Sequence, residues 1–93
     1  MRYRLTTRAH RDLVNLLTYL GKESPQAAQY GAVQIEKTLD LLIQMPRLGR
    51  SSLRPDTREI GVSHFPLLVV YRINADVIEI LTIFHTSRNP EDK

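Results

Sequence analysis

Cysteine is absent from the 93 residues, so the chain holds no disulfide framework and no thiolate metal site, and a reducing compartment suits it. Long apolar runs are missing too. No stretch approaches the roughly 18 apolar residues that a membrane span needs, and MRYRLTTRAHRD lacks the apolar core of a signal peptide. The expectation is a soluble, cytoplasmic protein. The three histidines stand at unrelated positions with no pair at ligand spacing, which argues against a metal site. A glycine-rich phosphate loop, a Ser-His-Asp pattern and paired carboxylates are likewise not in evidence, and no cofactor is expected. There is no internal repeat and no low-complexity segment.

What is present is an ordinary globular composition, 42% hydrophobic and 25% charged, long enough for one core and no second. Residues 1–93 therefore read as a single domain. The net charge is +3, and ten of the thirteen basic residues are arginines. The guanidinium fork pairs bidentately with carboxylate and phosphate, so arginine over lysine points to an acidic protein segment or a nucleic acid as partner.

Arg2–Leu5 alternates over a length that suits an edge strand. Thr6 or Thr7 can cap a helix whose apolar stripe is Ala9, Leu13, Leu16, Leu17 and Leu20, with Gly21 placed to stop it. Ser24-Pro25 starts a second helix, with the stripe Ala28, Ala32, Ile35, Leu39, Leu42 and Ile43, and Pro46 ends it. So short a connection requires an antiparallel helical hairpin. Gly31 inside the second helix costs about 1 kcal/mol relative to alanine and suggests close helix–helix approach.

Pro46–Asp56 reads as a loop. Arg58, Ile60 and Val62 alternate with Glu59 and Gly61 as a half-exposed strand. Leu67–Ile73 and Val77–Phe84 are apolar at nearly every position and read as central strands, joined by a short break at Asn74-Ala75-Asp76. The predicted architecture is α+β: an N-terminal strand, an antiparallel helical hairpin, then a three-stranded antiparallel segment, with the hairpin packed on one sheet face.

Three groups of residues could carry chemistry. Arg47, Arg50, Arg54 and Arg58 form a cluster against one intervening acid, Asp56, which suits phosphate or acidic-peptide contact as well as simple solubility. Tyr71 and Arg72 must point to opposite strand faces, Tyr71 into the core with its hydroxyl bonded and Arg72 toward a partner. His85 and Arg88, with His64 before the strand pair, offer an acid–base group beside a cation; the plainer reading is that His85 hydrogen-bonds a strand end and Arg88 pairs with a C-terminal acid. The two last strands are more apolar than a half-solvated sheet requires, so an exposed apolar interface is expected there.

AHRDLVNLLTYL, SPQAA, MPRLGR, TREIGV, LLVVYRI and VIEILTIFHTSRNP, in this order and spacing, resemble the ParE/RelE family of small bacterial toxins over nearly the whole chain. The resemblance implies a toxin of a type II toxin–antitoxin pair, held in a hetero-oligomer by a cognate antitoxin that wraps a segment around it. RelE-like members cut mRNA on the ribosome; ParE-like members inhibit DNA gyrase. Leu68 stands three before Tyr71, where RelE-like toxins tend to carry an arginine, and no tyrosine follows Arg88. HTSRNP resembles the HxxRDP ending of ParE-like chains. The resemblance thus implies a gyrase inhibitor and not an enzyme, and Arg50, Arg54, Arg58, Arg72, His85 and Arg88 are the residues expected to meet the target or the antitoxin. The alternative is a ribosome-dependent mRNA endonuclease using His85, Arg88 and Arg58. A third reading is a module that only binds its antitoxin and represses with it.

Overall fold

The computed structural model describes residues 1–86, so Arg88 lies outside the described residues. Strand β1 (Arg2–Leu5) leads into helices α1 (Thr7–Glu23) and α2 (Pro25–Gln44), followed by β2 (Arg50–Ser51), β3 (Arg58–Gly61), β4 (Leu67–Asn74) and β5 (Val77–His85). The five strands form one sheet in the order β1-β5-β4-β3-β2. All neighbours are antiparallel except β1 and β5, which run parallel. The α+β class and the helical hairpin are as expected. The three-strand ending is corrected to four strands, because Arg50–Ser51 pairs with β3 inside the segment read as loop. A two-residue strand is too short to show alternation, so only its partner reveals it.

Thr6 is the cap of α1, its hydroxyl accepting from the Ala9 amide at 3.1 Å. Gly21 does not end that helix. The helix continues to Glu23, and Ser24 both closes α1, through its amide to the Leu20 carbonyl, and opens α2, through its hydroxyl to the Ala27 amide. One residue thereby folds the hairpin back on itself. A Cβ at Gly31 would lie 2.6 Å from Leu20 Cδ1, so the close approach inferred for this glycine is real.

The core lies between the hairpin and one face of the sheet. Leu16 of α1 and Ile35, Leu39 and Leu42 of α2 meet Val69, Tyr71, Ile78, Ile80 and Ile83. Tyr3 and Leu5 of β1 pack on the same cluster, which turns Arg4 to the opposite face. Tyr71 pairs with Ile80 but Val70 with Thr82, so Leu81 is an extra residue in β5. This bulge lets Ile80 and Ile83 both reach the core although three apart.

Beyond the four residues paired with β1, the edge of β5 is closed by α1. The Thr6 hydroxyl donates to the Leu81 carbonyl at 3.1 Å. The Asp12 carboxylate accepts from the Ile83 amide at 3.2 Å and from the Thr82 hydroxyl at 2.6 Å. A helix side chain thus takes the place of a missing strand. Replacing Asp12 by alanine leaves the Ile83 amide without its acceptor and is expected to cost about 1–3 kcal/mol. The thermal midpoint should drop by roughly 4–8 °C per kcal/mol in a domain of this size. A scanning calorimetry trace within 2 °C of wild type would contradict this role.

Candidate functional site: an arginine-lined cleft at the sheet edge

The arginine cluster is split by the fold. Arg47, Arg54 and Arg58 line a cleft of about 890 Å³ together with Arg72 and Asn74 from the end of β4. Ser51, Ser52, Thr57, Asp56, Leu53, Pro55 and Ile73 complete its wall. Four guanidiniums therefore face one carboxylate. Arg50 is not part of this wall; its Nε donates to Glu59 at 3.1 Å.

The cleft is built by a turn and an anchor. In the turn, the Thr57 hydroxyl and amide both bond the Arg54 carbonyl, at 2.7 and 3.3 Å. Asp56 takes a left-handed φ of 61°, which aspartate tolerates better than most residues. Leu53, at the tip, is 81% exposed, the most open large apolar side chain among the described residues.

The anchor is Tyr71. Its side chain is fully buried, and its hydroxyl donates to the Pro46 carbonyl and accepts from the Gly49 amide, both at 2.8 Å. Burial raises its phenol above the ordinary value, while the Gly49 amide and the Arg58 charge pull it down. Gly49 must be glycine for this contact, since a Cβ there would fall 2.6 Å from the Tyr71 oxygen and 2.9 Å from the Glu59 carbonyl. Arg58 Nη1 secures the same loop, donating to the carbonyls of Gly49 at 2.8 Å and Arg47 at 3.3 Å. Of the arginines expected to meet a partner, Arg58 thus also fixes the loop that carries Arg47 and Arg50.

Tyr71 and Arg72 part as expected, Tyr71 to the core and Arg72 to the exposed face. Arg72 Nε donates to Glu79 at 2.7 Å, and Arg4 Nη2 bonds the same carboxylate. The Glu79 side chain is 3% exposed, those of Arg4 and Arg72 64% and 51%. The Arg72 hydrogen bond lowers the Glu79 carboxyl below its ordinary value, against the burial that would raise it, and Arg4 adds to the lowering.

The histidines do not gather. His64, with φ 70°, lays its ring near Tyr30 of α2 with centroids 5.8 Å apart. His85 is half-buried at the end of β5, opposite Leu67. Neither lines the cleft. The apolar interface expected on the sheet is also not exposed: Val70 and Phe84 are 4% and 8% accessible, standing beside their cross-strand partners Thr82 and Leu68. Glu59, Glu79, Arg4 and Asp12 were not singled out in sequence. Glu79 had a signal, a lone charge in an apolar run placed opposite Arg72 by the hairpin register.

A two-helix layer on one side of a mixed sheet, with a basic cleft at the sheet edge, defines a small arginine-rich α+β domain. Residues 3–90 match the family described as ParE toxin of type II toxin-antitoxin system, parDE. The chain belongs to this ParE/RelE family. It is 38% identical to Y4kP of Sinorhizobium fredii over 84 residues, 90% of this chain and 86% of that protein. It is 31% identical to toxin RelE1 of Caulobacter vibrioides over 83 residues, 87% of this chain and 88% of that protein. The fold matches the chromosomal ParDE system from P. aeruginosa with a TM-score of 0.79 at 24% identity, over 91% of this chain and 95% of that one. The intact E. coli RelBE toxin–antitoxin complex matches with a TM-score of 0.58 at 18% identity, over 87% and 90%.

Two outcomes test the site. Tyr71→Phe keeps the ring but leaves the buried Gly49 amide unbonded, an expected loss of about 1–3 kcal/mol; denaturant titration should show it, and hydrogen exchange of the Gly49 amide should accelerate. A mutant as stable as wild type would mean the loop is held without Tyr71. Glu79 contributes stability that is complete above its unfolded pKa and is lost as pH falls through the lower folded value. Wild type should therefore lose stability between about pH 4.3 and lower pH, and Glu79→Gln should flatten part of that slope in a series of acid melts.

Proposed function

We propose that the chain is a growth-inhibiting toxin that acts by binding, with DNA gyrase as its target, and that a cognate antitoxin neutralises it. The observation that carries the reading is the make-up of the cleft. Among the described residues its ionisable side chains are four guanidiniums and one aspartate, and no histidine lines it. General acid–base cleavage needs a titrating group within hydrogen-bond reach of the reacting atoms. Tyr71, the phenol that anchors the loop beside the cleft, spends its hydroxyl on Pro46 and Gly49. Leu68 stands where RelE-like toxins tend to carry an arginine. Four cations against a single aspartate suit binding of a carboxylate- or phosphate-bearing surface better than proton transfer.

The runner-up, ribosome-dependent mRNA cleavage, is favoured by the 31% identity to toxin RelE1 and by His85 at the mouth of β5. The antitoxin partner is supported by the family described above and by the toxin–antitoxin complexes that share the fold.

Purified protein should inhibit supercoiling by gyrase or trap cleaved DNA. The same preparation should leave mRNA intact in a translating extract. Codon-specific cuts in ribosome-bound mRNA, with supercoiling unaffected, would replace this reading by the runner-up.

A further inference from the structure

Glu79 is an unexpected charge for its place. It interrupts an apolar run, and its carboxylate is buried beneath two arginines on the sheet face turned away from the helices. Besides Arg72 and Arg4 it accepts from Asn74 Nδ2 at 3.5 Å. A buried ion pair is weak evidence for stability, because desolvation offsets the attraction and an apolar residue of similar volume often serves a fold as well. What an apolar residue could not do is set the direction of the arginines.

The register makes that direction specific. Arg4 pairs with Glu79 across β1 and β5, and Arg72 pairs with Glu79 across β4 and β5. Neighbouring strands are about 4.8 Å apart, so the two arginines straddle one carboxylate roughly 10 Å from each other. Arg72 binds Glu79 through Nε and Arg4 through Nη2. Each guanidinium has five N–H donors, and both side chains are more than half exposed, so donors remain to face outward. Two cations over one anion leave the row net positive.

We infer that Glu79 is a positioning residue, presetting Arg4 and Arg72 to receive a carboxylate-rich peptide segment. The inference deepens the antitoxin reading above and rests on it. Long side chains held before binding lose less freedom at the moment of binding. A peptide fits better than a nucleic acid for a reason in the wall. Arg72 also lines the cleft, where Leu53, Pro55 and Ile73 supply aliphatic surface and, among the described residues, no aromatic ring offers a base a stacking platform. Acidic residues interspersed with aliphatic ones match that surface.

The probe is a fluorescein-labelled peptide of alternating glutamate and leucine, read by fluorescence anisotropy, with an oligothymidine of equal length as competitor. Wild type should bind the peptide, and Arg72→Ala should bind it less well. Glu79→Gln should weaken binding about tenfold although it makes the surface more positive. Charge alone predicts the opposite sign, which separates positioning from simple attraction. Unchanged or tighter binding by Glu79→Gln, with Arg72→Ala still weakened, would overturn the positioning role and leave the antitoxin reading standing. Failure of the wild type to bind, indifference to Arg72→Ala, or displacement by oligothymidine would overturn the reading of this surface itself. Should Glu79→Gln not fold, wild type decides by NMR. The Arg72 Nε–H signal should be sharp in the free protein and shift on peptide addition; its absence before peptide addition would refute a preset geometry.

Discussion

The hydroxyl of Tyr71 is the contact on which the arginine-lined end of the molecule depends. Its ring belongs to the core between hairpin and sheet, and its oxygen holds the loop that leaves α2. A buried hydroxyl must find partners, and a loop passing over the sheet must place its amides and carbonyls. Each requirement answers the other. From that anchor β2 is brought alongside β3, the turn at Arg54–Thr57 follows, and the cleft takes its shape. Arg58 strengthens the arrangement through two more loop carbonyls.

On the exposed face of the sheet, charge is arranged and not merely accumulated. Glu79 is shared by Arg4 and Arg72, and Glu59 takes Arg50 and Ser52. Each acid is almost fully buried while its arginines remain largely open. Ion pairs of this kind stabilise a fold little more than apolar residues of similar volume would, but they fix guanidiniums that in a free surface chain would sample many rotamers. That face is therefore cationic and ordered together. A ParE/RelE-family fold of this size has little core to spare, and it uses Asp12 and Thr6 in place of a longer first strand to close the edge of β5.

Much of this was legible in the residues. Ser24-Pro25 marks the hairpin because an N-cap hydroxyl followed by proline has one physical use. The order of elements, the core stripes and the division of Tyr71 from Arg72 follow from periods of 3.6 and 2. Gly21 does not stop α1, because Ser24 supplies the closing contact three residues later; a Cβ at Gly21 would only touch Ala28 at 3.9 Å, an ordinary contact. The apolar excess of β4 and β5 suggested an exposed interface, whereas Val70 and Phe84 are covered within the chain.

The sequence by itself determined the two helices, the longer strands, the hairpin turn and hence the pairing of Arg72 with Glu79, all of which are set by interactions within about a dozen residues. Tertiary structure alone decided that β1 lies parallel beside β5, and with it the partners Arg4–Glu79, 75 residues apart, and Asp12–Ile83, 71 apart. It also decided that Arg47, Arg54, Arg58 and Arg72 share a cleft while Arg50 does not. The reason is physical: local backbone preferences repeat along the chain and can be read from it. Which distant side chains meet is fixed only when the hydrophobic face is buried and every strand edge and buried polar group has found a partner.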